Sequence, residues 1–208
     1  MKVLLFNGSP HKNGCTYTAL SEIAKELNQN CIGTEIIQIG STAFQGCTGC
    51  YACAKTGQCA LGEKDGLNAI AVKCGEADGF VFGSPVYYAS ANGGLISFMD
   101  RLFYSGGRYL AHKPGAAVVS ARRGGTSASL DELNKYFTIN QMPVVSSTYW
   151  NMVHGSCPED VAQDLEGLQT MRNLGKNMAW LLKCIEAGKA AGIGIPTAER
   201  GARTNFIR

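Results

Sequence analysis

Between an apolar run, Val3-Leu4-Leu5-Phe6, and a segment with Leu20, Ile23, Ala24 and Leu27 at helical spacing stands a polar, glycine-bearing stretch from Asn7 to Thr16. The pattern predicts a strand, a loop and a helix. A helix entered in this way aims unpaired backbone N–H groups and the positive end of its dipole at one point, which suits a phosphate. Ser9, Thr16 and Thr18 offer hydroxyl donors, and Gly8 and Gly14 let the backbone come close. The same residues also suit a plain turn capped by Ser9 or Thr16. Neither the P-loop signature nor G-x-G-x-x-G occurs at this junction, which disfavours ATP and a dinucleotide held in the Rossmann manner and leaves a mononucleotide phosphate.

The rest of the chain repeats the alternation. Thr34 to Ile39 reads as a second strand, Gly79 to Gly83 as a buried third, Gly115 to Ser120 as a fourth and Val144 to Tyr149 as a fifth. Helices are expected from Gly66 to Cys74, through Leu95, Phe98, Met99 and Leu102 facing inward, and from Leu130 to Ile139. A long last helix starts at Pro158, with Val161, Leu165, Leu168, Leu174, Met178, Leu181 and Ile185 on one apolar face. Trp150, Trp180 and Cys184 read as structural, and His112 and His154 as loop or surface residues. Five strands alternating with helices predict an α/β domain with a parallel sheet covered on both faces.

At 208 residues and 45% hydrophobic, the chain is long enough for one proper core. No apolar run reaches membrane-spanning length, and Met1 leads straight into the first strand without an export signal, so no membrane association is expected. Nine cysteines in such a chain point to a reducing cytoplasm. The net charge of +3 is too small to imply nucleic acid, and it resides in residues 187–208, where Lys189, Arg200, Arg203 and Arg208 oppose Glu199.

Three loops leave the carboxyl ends of strands one, three and four, the edge where open α/β sheets bind ligands. The first is the phosphate-type loop. The second, Ser84-Pro85-Val86-Tyr87-Tyr88, offers a stiff backbone and aromatic faces; the third, Arg122-Arg123-Gly124-Gly125, offers charge and exposed amides. Together they suit a phosphate at one end and a flat ring at the other.

Gly8-Ser9-Pro10 with Gly14-Cys15-Thr16, Gly83-Ser84-Pro85-Val86-Tyr87, Asp100-Arg101-Leu102 and Arg122-Arg123-Gly124-Gly125 resemble the NADPH-dependent FMN reductase branch of the flavodoxin-like proteins. The C-x2-C-x2-C-x5-C array of Cys47, Cys50, Cys53 and Cys59 resembles the iron-sulfur flavoproteins of that branch, and the ending Thr204 to Arg208 is also similar to many members. The resemblance implies a flavodoxin-like three-layer sandwich over residues 1–186, with a five-stranded parallel sheet in the order 2-1-3-4-5 and the cysteine loop, 44–63, inserted after strand two. It implies that Ser9, His11, Asn13, Gly14, Cys15 and Thr16 line the FMN phosphate. Pro85, Val86, Tyr87 and Tyr88 then run along the isoalloxazine, at least one tyrosine touching it, and Arg122, Arg123, Gly124 and Gly125 close over its other side. No separate catalytic residue set is expected, because the flavin carries the chemistry. Self-association through the helix after the proline loop implies a homodimer or homotetramer.

The resulting reading is a cytoplasmic oxidoreductase that takes hydride from NAD(P)H and passes electrons to an acceptor, directly or through a 4Fe-4S cluster. A non-enzymatic flavodoxin-type electron carrier and a cluster-free reductase of quinones, nitro compounds or flavins are the rival readings. Three thiolates at x2 spacing and a fourth further on can wrap a cubane. Four cysteines can equally hold tetrahedral zinc, and a loop of thiols that binds nothing is the third reading. Residues 187–208, with apolar Phe206 and Ile207 at a basic end, are expected to dock on a neighbouring subunit near the flavin.

Overall fold

The computed structural model describes residues 1–202 and residue 204; Phe206 and Ile207, on which the tail expectation rests, lie outside the described residues. Among the described residues six strands form one sheet: β1 (Lys2–Asn7), β2 (Gly33–Gln38), β3 (Gly79–Tyr87), β4 (Ser90–Ala91), β5 (Gly115–Ala121) and β6 (Met152–His154). The helices among the described residues are α1 (Cys15–Gln29), α2 (Ala52–Thr56), α3 (Gly62–Asp65), α4 (Leu67–Gly75), α5 (Gly93–Leu110), α6 (Thr126–Ile139), α7 (Pro158–Gln163) and α8 (Leu165–Ala190). Five strands run parallel in the order β2-β1-β3-β5-β6, and the two-residue β4 turns back antiparallel on the end of β3. Counting the parallel strands alone, this is the expected order 2-1-3-4-5.

Alternation along each strand divides the core into two halves. Leu4 and Phe6 of β1, Phe80 and Phe82 of β3, and Ala117 and Val119 of β5 face α4, α5 and α6. Val3, Leu5, Val81, Ala116 and Val118 face α1 and α8. Phe6 and Phe82 are register partners and stack with ring centroids 4.7 Å apart. The inward residues expected on α5, Leu95, Phe98, Met99 and Leu102, are all fully buried.

Three expectations change. The fifth strand is not Val144 to Tyr149: Val144 makes a single parallel bridge to Gly115, and pairing resumes only at Met152–His154. The cause is α8, which captures the intervening polar groups. Asn177 donates to the Ser146 carbonyl at 2.8 Å, and Ser147 Oγ donates to the Thr170 carbonyl at 2.7 Å. The last helix breaks at Asp164, whose carboxylate accepts from Gly167 N at 2.9 Å and from His154 N at 2.7 Å. Capping there restarts the helix and leaves Leu165 exposed at the break instead of on the buried face. Trp150 and Trp180 are exposed, as is Cys184. Trp180 falls between Met178 and Leu182, which hold the buried face of α8.

Candidate functional site

β1, β3 and β5 lie side by side, so the loops leaving their carboxyl ends meet at one edge, next to the β1/β3 junction where the strand order reverses. The loop after β1 is held from beneath. Asn7 Nδ2 donates to Gln38 Oε1 at 2.7 Å and to the Lys12 carbonyl at 3.2 Å, and Asn7 Oδ1 accepts from Ser9 N at 3.1 Å. Gln38 Nε2 donates to the Ser9 carbonyl at 2.7 Å. Gly40 packs so closely on this loop that a Cβ there would lie 2.2 Å from the Ser9 carbonyl carbon.

Helix α1 begins at Cys15 after Gly14, and no side chain caps it. Its first intrahelical bond is Thr18 N to the Gly14 carbonyl, so the N–H groups of Cys15, Thr16 and Tyr17 have no helical acceptor. Ser9 Oγ accepts from His11 N at 3.2 Å and keeps its own proton to donate. The other two hydroxyls are engaged elsewhere. Thr18 Oγ1 donates back to the Gly14 carbonyl, and Thr16 Oγ1 pairs with Ser120 Oγ at 2.8 Å in the buried join between α1 and β5. Burial pushes the Cys15 thiol up, so it stays neutral beside the loop. His11 and Asn13 are exposed on the loop surface.

The loop after β3 is a tight hairpin. Val86 pairs with Ala91 and Tyr87 with Ser90, leaving Tyr88 and Ala89 as the two central residues, both at positive φ as a type I′ turn requires. Tyr88 is fully solvent-exposed, Tyr87 is partly so, and Pro85 and Val86 are half-buried. Asn92 fixes the return by accepting from Gly94 N and Leu95 N at the start of α5, while its own N–H donates to Ser84 Oγ. The loop after β5 leans on this hairpin. Gly125 has φ of +92° and lies where a Cβ would be 2.5 Å from Ala89 Cα, while Arg122 and Arg123 project into solvent.

A second site is separate from these loops. Cys47, Cys50, Cys53 and Cys59 line one cavity of about 220 Å³ together with Tyr51, Arg101 and Tyr104. Among the described residues no three His, Cys, Asp or Glu side chains converge closely enough for a single metal ion. The Ala52 N–H and the Thr48 hydroxyl hold the Cys50 thiol below its ordinary value.

Arg101 is fully buried on α5; its Nε donates to Cys59 Sγ at 3.2 Å, and its two terminal nitrogens grip Asp65 at 2.5 and 3.1 Å. Asn7, Gln38, Ser120, Asp65 and the role of Arg101 were not foreseen. An arginine beside Phe98, Met99 and Leu102 on an otherwise apolar face was the available signal for the last.

A doubly wound parallel sheet with an uncapped helix start at its switch point defines a flavodoxin-like α/β protein. Two solved structures bear this out. RosB, with a bound riboflavin-5′-phosphate derivative, superposes with a TM-score of 0.69 at 13% identity, covering 100% of this chain and 94% of its own. A flavodoxin from the Archaea gives 0.59 at 15% identity, over 88% of this chain and 99% of its own. Residues 1–156 match the NADPH-dependent FMN reductase family, and the chain belongs to that family of oxidoreductases. It is 34% identical over 194 residues to an iron-sulfur flavoprotein of Methanocaldococcus jannaschii, across 89% of this chain and 100% of that one. Among the described residues no helix is long and apolar enough to cross a membrane.

Proposed function

We propose that this chain is an FMN-dependent NAD(P)H oxidoreductase that hands electrons to an acceptor through a 4Fe-4S cluster held by Cys47, Cys50, Cys53 and Cys59. The observation that carries this reading is that those four cysteines line one cavity. The donor set is soft and all-sulfur, as a cubane requires. The kinship with iron-sulfur flavoproteins supports the same choice.

FMN fits the sheet edge because three uncapped N–H groups of α1 and the Ser9 hydroxyl supply donors for a phosphate dianion on a loop that Asn7 and Gln38 hold in place. Bound FMN would accept hydride from a reduced nicotinamide, and a bound cluster would pass electrons singly. Ser9, His11, Asn13, Gly14, Cys15 and Thr16 would surround the phosphate. The hairpin Pro85 to Tyr88 would flank the ring on one side, and Arg122 to Gly125 would close the other, their backbone N–H groups favouring negative charge on the pyrimidine end.

Assembly as a homodimer or homotetramer through α5 belongs to the same proposal, supported by Tyr104, 67% exposed on that helix. Docking of residues 187–208 on a neighbour also belongs to it, supported by Ile193 and Ile195, both exposed in the single chain.

The test is the anaerobic iron, sulfide and FMN content of freshly purified protein, with optical spectra before and after NADPH or NADH. About four iron and four sulfide per FMN, with rapid bleaching by the nicotinamide, is the expected result. FMN without iron after attempted reconstitution would leave a cluster-free reductase. Flavin reduced by ferredoxin or dithionite but not by nicotinamide would leave an electron carrier.

A further inference from the structure

Arg101 is the largest fully buried side chain among the described residues, on the wall of the cysteine cavity. A buried guanidinium persists only where its charge and donors are matched. Asp65 supplies the charge through two bonds, and the Gln45 carbonyl takes a further bond from Nη1 at 3.2 Å. Those contacts alone would explain a structural ion pair. They leave the Nε–H, which donates to the sulfur of Cys59.

Cys59 is also the cavity cysteine whose backbone is clamped on both sides. Its N–H donates to Asn68 Oδ1 at 3.0 Å, and its carbonyl accepts from Asn68 Nδ2 at 3.1 Å. Cys47 and Cys50, by contrast, sit exposed on irregular chain. Resting on the cluster reading above, we propose that Arg101 is a positioning residue: it fixes the Cys59 sulfur as the anchored ligand and, through Nε–H···S, raises the reduction potential of the cluster, while Asp65 biases it the other way. Hydrogen bonds to ligand sulfur and nearby net charge both govern such potentials. A donor aimed at sulfur stabilises the reduced, more negative state; a carboxylate opposes it.

The test uses the full-length protein, reconstituted anaerobically, with iron counted before any other measurement. In wild-type protein carrying 15N-arginine, the reduced cluster is expected to show a 15N coupling in its pulsed EPR spectrum. In redox titrations, Arg101→Lys, which keeps the charge but lacks the Nε donor, is expected to shift the midpoint negative and to weaken iron retention about 10- to 100-fold. Asp65→Asn is expected to shift the midpoint positive. Four iron per chain with no 15N coupling, or with both variants shifted the same way, overturns the role of Arg101 while leaving the cluster in place. Wild-type protein that takes up no iron overturns the cluster reading and this role with it. If Arg101→Lys does not fold, the label and Asp65→Asn decide.

Discussion

Asn7 and Gln38 stand opposite each other at the carboxyl ends of β1 and β2 and share a 2.7 Å hydrogen bond, while each also grips the backbone of the loop that follows β1. The geometry of the proposed phosphate site is therefore set by two amide side chains beneath it, neither of which is on the loop. Gln38→Ala should weaken FMN binding on the order of tenfold, because the freed Ser9 carbonyl and Asn7 amide let the loop relax. Titration of apoprotein with FMN, followed by quenching of flavin fluorescence, measures this; unchanged affinity would mean that the loop holds its shape unaided.

The buried pair Thr16 and Ser120 joins the start of α1 to the end of β5. Thr16→Val keeps the shape and strands the Ser120 hydroxyl, which should cost about 1–3 kcal/mol of stability. Ser120→Ala should cost a similar amount, and the double variant less than the sum. A double-mutant cycle by urea unfolding reads the coupling directly.

Cysteine reactivity should divide by position. Cys74 is fully buried and its thiol is pushed up to about 12 by burial, whereas Cys31, Cys47, Cys50 and Cys184 are exposed. Iodoacetamide at neutral pH should label the exposed four in metal-free protein and spare Cys74. After anaerobic reconstitution Cys47, Cys50, Cys53 and Cys59 should be protected and Cys31 and Cys184 still labelled, as read by peptide mass spectrometry.

Glu35 on β2 links Lys2 of β1 to Lys73 of α4, and those two ammonium groups hold its carboxyl below the ordinary value of 4.5. A depressed folded-state value contributes stability above the unfolded value that is lost as pH falls through the folded one. Wild type should therefore be more stable than Glu35→Gln at neutral pH by a small margin, the pair being partly exposed. The margin should shrink as pH falls below 4.5 and vanish only below the depressed folded value, as unfolding midpoints at a series of pH values would show.

Gly125→Ala should destabilise the protein by about 1–3 kcal/mol, since positive φ and the approach to Ala89 both resist a side chain. Gly124→Ala, facing open space, should leave thermal stability unchanged. Equal losses in the two variants would show that the hairpin does not rest on Gly125.

The parallel α/β sheet, the two-faced core and the three loops at its carboxyl edge were legible because they rest on local signals: apolar period, glycine placement, and strands separated by helices; the strand order came from the family resemblance. So were the four cavity cysteines, whose spacing is written in the chain. The split fifth strand and the break at Asp164 were not, because both depend on side chains that meet across the fold. Asn177 and Thr170 of α8 take the polar groups of Ser146 and Ser147, and the Asp164 carboxylate finds the amides of Gly167 and His154.

The sequence by itself determined the class of fold, the strand–loop–helix junction after β1 and the presence of a thiol array, since each is a pattern among neighbours in the chain. Only the tertiary structure decided how that loop is braced, that Tyr88 ends on a hairpin tip, and that Arg101 is turned toward Cys59, 42 residues before it. Such partners are chosen by distance in space and by the need to satisfy buried donors and charges, and sequence spacing carries no record of either.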